Sequence, residues 1–441
     1  MGDQKTISGF SKLRKRDKIK WIAKTFFTDP EQVMTELVSH WHGDEEQQKI
    51  LDGFSENTIS NFPMPYGVAP NFLIDGETYV VPMVIEESSV VAAASAAAKF
   101  WMTRGGFVTE IINTEKVGQV HFKWKGNSEK LKGIFPKIKE MLREESKDLT
   151  ENMEKRGGGI SDIELLDLTD QEEGLYQLRA YFQTCDSMGA NFVNSCLERF
   201  SASLKNYVIK SDKLDEDEKD VLIVMSILSN YTPDCLVRVT VSCPVEKLGK
   251  FAGGMDAKTF AEKFVLAVKI ARIDPYRATT HNKGIYNGVD AVALATGNDF
   301  RAIESCGHTY ASRDGQYRSL SQAEIKEGVF RFWLDIPLAV GTVGGLTTLH
   351  PIAKRSHELL GHPSAEKLMS IIAATGLAQN FAAVRSLVTT GIQQGHMKMH
   401  LQNILNQMKA TPSENEKAMA YFDERVVSFA GVRTFLEGIR E

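Results

Sequence analysis

Along the chain, stretches whose apolar residues repeat at helical spacing give way to shorter runs that are apolar almost throughout. The first fifty residues carry Trp21, Ile22, Phe26 and Phe27, then Val33, Leu37 and Trp41, and read as an amphipathic helical arm. Residues 57–87 change character. Pro and Gly punctuate short β-rich runs, the pair Asp75 and Gly76 predicts a hairpin turn, and the run Val80 to Ile85 predicts a strand that ends at Glu86. Ser88 and Ser89 then stand where helix caps belong, ahead of an Ala-rich helix from Val90 to Met102 whose small face permits close packing.

From about Phe107 the sequence turns β-rich and Lys-rich. A charged helix from Glu129 to Glu154 follows, then Gly157, Gly158 and Gly159, an alternating strand from Leu175, and a helix with Phe192, Val193, Cys196, Leu197 and Phe200 on one face. These residues read as a separate, smaller domain over 111–220. Beyond Asp220 the long apolar runs return, with strands from Val221 and Val237 and a helix from Ala257. A loop is expected from Arg277 to Gly284, then a strand from Ala291 to Thr296 that carries Asp299 at its end, then a helix from Phe300. After about Thr389, Met397, Leu401, Ile404, Leu405 and Met408 form the stripe of a small helical unit. The expected fold class is α+β (mixed α/β), with a large domain in two parts (1–110 and 221–388), an inserted small domain (111–220) and a C-terminal helical unit (389–441).

Composition narrows the classes. With 441 residues, 42% of them hydrophobic and 25% charged, the chain can bury the cores of two or three domains. A net charge of -5 argues against a surface that coats nucleic acid. The apolar zone from Tyr79 to Met102 is broken by Glu86 and Glu87, and the basic N-terminus has no apolar run behind it, so neither a membrane partner nor a secretory signal is expected. Five cysteines, an odd number without CxxC spacing, suit a reducing, cytoplasmic setting.

Four polar segments stand out: Glu86 to Ser89, Thr280 to Gly284, Thr296 to Asp299, and Gln394 to His400. Each sets a titratable residue beside Gly, Asn or Ser at the edge of an apolar run. Glu87, Lys283, Asp299 and His396 would together suit proton-coupled chemistry on a carbonyl, although any one of them alone reads as a cap or a solvated ion pair. Asp186, Met188, Gly189, Ala190 and Asn191 open the helix of the small domain, where backbone N–H groups suit a dinucleotide pyrophosphate; a capped helix that binds nothing is the plain alternative. Neither G-x-G-x-x-G nor a P-loop occurs, so a nicotinamide cofactor would need a non-Rossmann fold. His396 and His400 have the spacing of a metal pair but lack the H-E-x-x-H glutamate and a third ligand nearby, and no metal is expected. Cys306 near His308 suggests an acyl-transfer nucleophile, without an orienting group for that histidine. A catalytically silent binding protein would not need all four titratable groups.

Pro82 to Ser95, Asp186 to Asn191, Arg277 to Gly284, Ala295 to Asp299, Ala311 to Arg318, Gly376 to Arg385 and Gly391 to Met397 closely resemble, in consistent order, the 3-hydroxy-3-methylglutaryl-CoA (HMG-CoA) reductase family, nearest to its soluble bacterial class II form. The resemblance implies reduction of HMG-CoA to mevalonate and CoA by two NAD(P)H, or the reverse oxidative acylation, in mevalonate and isoprenoid metabolism. It makes 389–441 a flap bearing the catalytic histidine His396, Glu87 the acid, Lys283 the carbonyl-polarising lysine and Asp299 the aspartate linking those two. Ser89, Arg277, Asn287 and Asn230 would hold the HMG carboxylate and hydroxyl, an arginine suiting a bidentate clamp. Asp186, Met188, Gly189, Ala190 and Asn191 would line the cofactor site, with Lys155 or Arg156 favouring NADPH over NADH. The family also implies a homodimer or larger homo-oligomer with active sites at the interface, Glu87 facing Lys283 across it. An acid beside an ammonium must still hold its proton at neutral pH, and sharing that proton with Asp299 would resolve the conflict. Ser187, Ser88 and Leu346 depart from the family pattern.

Overall fold

The computed structural model of the chain describes residues 5–251, 254–391, 401–423 and 425–440. The arm consists of α1 (Lys15–Phe26), α2 (Pro30–Ser39) and α3 (Glu45–Asp52). Asp29 and Asp44 cap the last two by accepting from the amides of Gln32 and Glu46 at 3.1 and 2.9 Å. Next, β1 (Tyr66–Ile74) and β2 (Glu77–Val84) form an antiparallel hairpin. Asp75 and Gly76 both have positive φ at its turn, 50° and 86°, which matches the twist of the strands it joins.

The Ala-rich α4 (Val90–Met102) packs its buried Ala94, Ala97 and Ala98 in the main core. Ser89 does not cap it as expected: it has a φ of 75°, and its side chain accepts no amide. β3 (Val108–Ile111) belongs to the first four-stranded sheet, after which the chain crosses into a second one.

That second sheet begins with β4 (Lys116–Trp124). The expected single charged helix is two, α5 (Ser128–Glu144) and α6 (Lys147–Glu154), broken at Glu145 and Ser146. β5 (Gly159–Asp167), β6 (Leu175–Gln183), α7 (Ala190–Lys210) and β7 (Val221–Ser229) complete the unit, whose antiparallel order is β5-β6-β4-β7. α7 and α5 lay Phe200, Leu204, Leu131 and Ile138 against the sheet to form a core of its own. The expected boundary at 220 is too early: β7 pairs with β4, so this sheet runs on to Ser229.

Beyond it come β8 (Leu236–Pro244), α8 (Ala257–Ile273), α9 (Pro275–Ala295), α10 (Phe300–Ala311), β9 (Ser321–Lys326) and β10 (Val329–Pro337), then the one-turn α11 (Leu346–Leu349), α12 (Pro351–Leu359) and α13 (Ala365–Val388). The first sheet has the order β3-β8-β10-β9.

α9 overturns two expectations, for residues 277–284 are not a loop and 291–296 are not a strand. The stretch is one helix, started by Pro275 and by the Asp274 carboxylate, which accepts from the Tyr276 amide at 3.0 Å. Its glycines serve close packing rather than a turn. A Cβ on Gly288 would meet the Thr375 carbonyl oxygen at 2.7 Å, and one on Gly376 would meet Val289 at 2.8 Å, so α9 and α13 touch nearly backbone to backbone.

α13 is long and apolar enough to cross a membrane, but 78% of its most apolar window is buried inside the protein, as in a core helix. Truncating one of its fully buried side chains, such as Phe381, would cost ~3–5 kcal/mol. Helices Pro412–Tyr421 and Phe429–Arg440 join residues 401–408 around a small separate core of Leu401, Ile404, Leu405, Phe422, Val432 and Leu436.

Candidate active site

Glu87 lies in the bend between β2 and α4, a position set by the end of the strand and the left-handed turn at Ser89. Opposite it, α9 buries Ala278, His281, Asn282 and Ile285 in the core and turns Thr280, Lys283 and Asn287 outward. At ~100° per residue these three fall within about 60° of one another, and Arg277 joins them at the edge of that stripe. The Lys283 Nζ donates to Glu87 Oε2 at 2.6 Å, and Asn287 Nδ2 approaches the same oxygen at 3.4 Å. Both partners of the ion pair remain partly open to solvent, at 58% for Lys283 and 38% for Glu87, so a substrate can reach them. The pair forms within one chain.

Asp299 does not join that pair. It caps α10, accepting from the amides of Arg301 and Ala302 at 3.1 and 3.2 Å, and its carboxylate is also met by the Arg301 guanidinium at 3.1 and 3.3 Å. Among the described residues no hydrogen bond or ion pair links it to Glu87 or Lys283. Its place is the N-terminus of a helix rather than the end of a strand, because the preceding segment is helical. Arg277 is half-buried with no carboxylate partner among the described residues, and burial pushes its guanidinium below the ordinary arginine range. A buried cation without an anion suits a carboxylate brought by a ligand. Ser89 is half-buried beside Glu87 in the chain. His396, His400 and the rest of 392–400 lie outside the described residues.

The expected cofactor loop is held from three sides. The Thr184 hydroxyl donates to the Ser187 carbonyl, the Ala365 amide donates to Asp186 Oδ1 at 2.8 Å, and the Thr342 amide donates to the Asp186 carbonyl at 2.8 Å. Gly189 starts α7 at φ 89° without any side-chain cap, and a Cβ there would meet Thr184 at 2.4 Å. The first amides of α7 therefore have no side-chain acceptor of their own, and these residues fit a phosphate.

Sequence reasoning missed residues 339–343. Gly341 lets this segment pass the loop, since a Cβ would meet the Met188 nitrogen at 2.5 Å, and Val343 bridges Ser187. The Gly341 amide also donates to Asn298 Oδ1 at 2.8 Å, tying the cofactor loop to the segment that ends at Asp299. Nothing in the spacing signalled it; the glycine matters only through what lies across from it.

A small cavity, about 20 Å³, is lined by Lys116, Met188, Ala190, Asn230, Thr232, Ala302, Cys306 and Ala339. Asn230 thus shares a wall with the cofactor loop. Cys306 is buried, its sulfur accepts from the Thr232 amide at 3.3 Å, and burial pushes its thiol up, so it is held as a neutral thiol rather than a nucleophile. His308 is engaged with the Tyr317 hydroxyl at 2.7 Å. All five cysteines are free. No group of three or more metal-ligating side chains occurs among the described residues.

Residues 15–401 match the family model for hydroxymethylglutaryl-coenzyme A reductase. The chain is 36% identical over 414 residues to 3-hydroxy-3-methylglutaryl-coenzyme A reductase of Archaeoglobus fulgidus, covering 94% of this chain and 89% of that one. It is 33% identical over 363 residues to a probable reductase of the same name from Borreliella burgdorferi, covering 82% and 80%. Two solved structures of the Streptococcus pneumoniae reductase superpose. One, at TM-score 0.72 and 34% identity, covers 98% of this chain and 100% of that one; the other, a class II enzyme bound to NADPH in open conformations, does so at TM-score 0.70 and 35% identity, covering 92% and 98%.

Proposed function

The chain belongs to the hydroxymethylglutaryl-coenzyme A reductase family, and from that premise we infer that it reduces HMG-CoA to mevalonate and CoA at the site around Glu87 and Lys283. The observation that carries the assignment of the site is the 2.6 Å contact between those two side chains, open to solvent, beside the unpaired Arg277.

When bound, reduced nicotinamide supplies two hydrides in succession. The first addition puts negative charge on the thioester oxygen, which the Lys283 ammonium stabilises once substrate displaces water from the pair. The thiohemiacetal then breaks its carbon–sulfur bond, and His396 as imidazolium protonates the departing thiolate, so that CoA leaves as a thiol. Mevaldehyde remains. Lys283 polarises its carbonyl in the same way, and Glu87, which takes up a proton once substrate has displaced it from Lys283, gives the alkoxide that proton. Arg277 holds the HMG carboxylate, with Ser89, Asn287 and Asn230 taking the remaining polar groups. The family resemblance also gives Asp299 a part in this proton relay; here its carboxylate is held by Arg301.

The uncapped start of α7, with Asp186, Met188, Gly189, Ala190 and Asn191, receives the dinucleotide, and 116–229 forms the cofactor domain. NADPH is the favoured cofactor, supported by its presence in the S. pneumoniae relative. We place the enzyme in the cytoplasm as a homodimer or larger homo-oligomer with its sites at the interface; the exposed Leu346, Leu349 and Ile352 give an apolar surface for that contact.

The test is to follow NADPH and NADH absorbance and free thiol after adding HMG-CoA. Two equivalents of reduced cofactor should disappear for each thiol released. Thiol release without cofactor consumption would favour acyl transfer instead.

A further inference from the structure

The turn that carries Asp299 is pinned by its neighbours. α9 ends beside Thr296, Gly297 takes a left-handed φ of 72°, and Asp299 opens α10. The buried His357 of α12 donates from Nε2 to the Thr296 carbonyl at 3.0 Å. A Cβ on Gly297 would meet the backbone of Leu346 and Thr347 at 3.0 Å, so the turn lies directly on the start of α11.

Within this turn the half-buried side chain of Asn298 reaches in two directions. Its Nδ2 donates to the Thr296 hydroxyl oxygen at 3.1 Å, and its Oδ1 accepts from the Gly341 amide at 2.8 Å. Gly341 and its neighbours are in turn fixed to the loop proposed for the cofactor. The Thr342 amide donates to the Asp186 carbonyl at 2.8 Å, Val343 bridges Ser187, and a Cβ on Gly341 would meet the Met188 nitrogen at 2.5 Å. One asparagine side chain therefore stands between that loop and the backbone that presents Asp299. Leucine has a similar volume, but only a side chain with an acceptor and a donor on opposite sides makes both contacts. Gly341 is buried, so without Oδ1 its N–H loses its partner, and the segment must shift to find another.

We propose that Asn298 is a positioning residue, which sets the spacing between Asp299 and the dinucleotide loop and so aligns proton and hydride delivery on one carbonyl. The proposal rests on the reductase reading above and deepens it. Asn298 itself touches neither substrate nor cofactor. It acts through Gly341 on one side and through the turn it shares with Asp299 on the other.

The experiment is a double-mutant cycle on the full-length protein, comparing the wild type with Asn298→Leu, Asp299→Ala and the two combined. Single-turnover reduction of HMG-CoA at saturating NADPH, followed by absorbance, keeps slow variants measurable, and calorimetric titration gives the NADPH affinity of each. Asn298→Leu should slow hydride transfer by about 10- to 100-fold, as small misplacements of reacting groups do, while NADPH affinity stays within about threefold. Asp299→Ala should be slow by itself. Adding Asn298→Leu to it should cost less than about a further threefold, because the group to be aligned is already gone. Asn298→Asp, which keeps an oxygen facing Gly341, should recover most of the rate lost in Asn298→Leu. Repeating the cycle with Asn298→Ala, which removes the contact without adding an apolar branch, keeps the result independent of whether the leucine variant folds.

Equal slowing with and without the Asp299 carboxylate overturns the proposal, since Asn298 would then act independently of it. So does an unchanged rate in Asn298→Leu, an Asp299→Ala variant as fast as the wild type, or an Asn298→Asp variant as slow as Asn298→Leu. A loss of NADPH affinity as large as the loss of rate also overturns it, because Asn298 would then support the cofactor loop alone. Failure of the wild type to consume NADPH with HMG-CoA is a distinct result, which removes the reductase reading and this proposal with it.

Discussion

The role proposed for Lys283 is one thing at the scale of a single side chain, to place a positive charge where an oxyanion forms. Its pairing with Glu87 is exposed on both sides, so the pair adds little to stability, ~0–1 kcal/mol for such contacts. Catalysis is a different matter, because a charge aimed at a developing oxyanion is worth on the order of 10²- to 10³-fold in rate. Lys283→Ala should therefore lower kcat with HMG-CoA by at least about 10²-fold while leaving the melting temperature within a degree or two. Steady-state kinetics beside a thermal melt separate the two effects, and a kcat within tenfold of the wild type would remove the role given to Lys283. At this scale the sequence was legible where chemistry depends on residue type: Glu87 and Lys283 meet as their identities suggested. Asp299 shows the limit, since a carboxylate followed by two free helix amides and an arginine is satisfied locally, and only coordinates reveal that competition.

α9 shows how an element can hide from pattern reading. Thr279, Thr280, His281, Asn282, Lys283 and Gly284 have the composition of a turn, and nothing local says that Gly288 and Gly376 lie against another helix. The buried side of α9 also carries titratable groups with opposite effects on stability. His281 is fully buried, bonded to the Ser321 hydroxyl at 2.6 Å, and burial pushes it down to about 3. The unfolded chain takes up that proton near pH 6.5, so this group lowers stability as pH falls from about 6.5 toward 3. Asp290 behaves in the reverse sense. Burial, then repulsion from Glu304, pushes its carboxyl up to about 8, so the folded protein keeps a proton that the unfolded chain releases near pH 4. Its contribution is fully present below about pH 4 and is lost as pH rises toward 8. Asp290→Asn removes that titration and leaves an amide able to donate to Glu304. Thermal melts across pH should show the variant gaining a few degrees over the parent near pH 8, with the gap narrowing toward pH 4, about the shift that 1 kcal/mol produces in a protein of this kind. An equal gap at all pH values would mean that Asp290 does not titrate in this range.

For the whole molecule, the architecture separates tasks that the reaction must perform in order. The groups proposed to hold substrate sit on α9 and the β2–α4 bend, the loop proposed for the cofactor sits on the second sheet, and the C-terminal helices hold a core of their own. Much of this division was readable as shifts in composition near Phe107 and Thr389. The strand β7 was assigned to the wrong part because an apolar run does not announce its sheet; pairing with β4 decides that, and pairing is not local. The separation makes a sharp prediction about His396. Its proposed proton goes to the CoA thiolate, a group present in the first half of the reaction and gone by the second. His396→Gln should thus lower reduction of HMG-CoA by on the order of 10²- to 10⁴-fold, the range for loss of a general acid. Reduction of added mevaldehyde, which has no thiolate to protonate and draws its proton from Glu87, should stay within a few-fold of the wild type. Glu87→Gln should impair both substrates. If His396→Gln slowed mevaldehyde reduction as severely as HMG-CoA reduction, the histidine would be acting on the carbonyl or on the fold, and the assignment of the two protons to two different parts of the chain would fail.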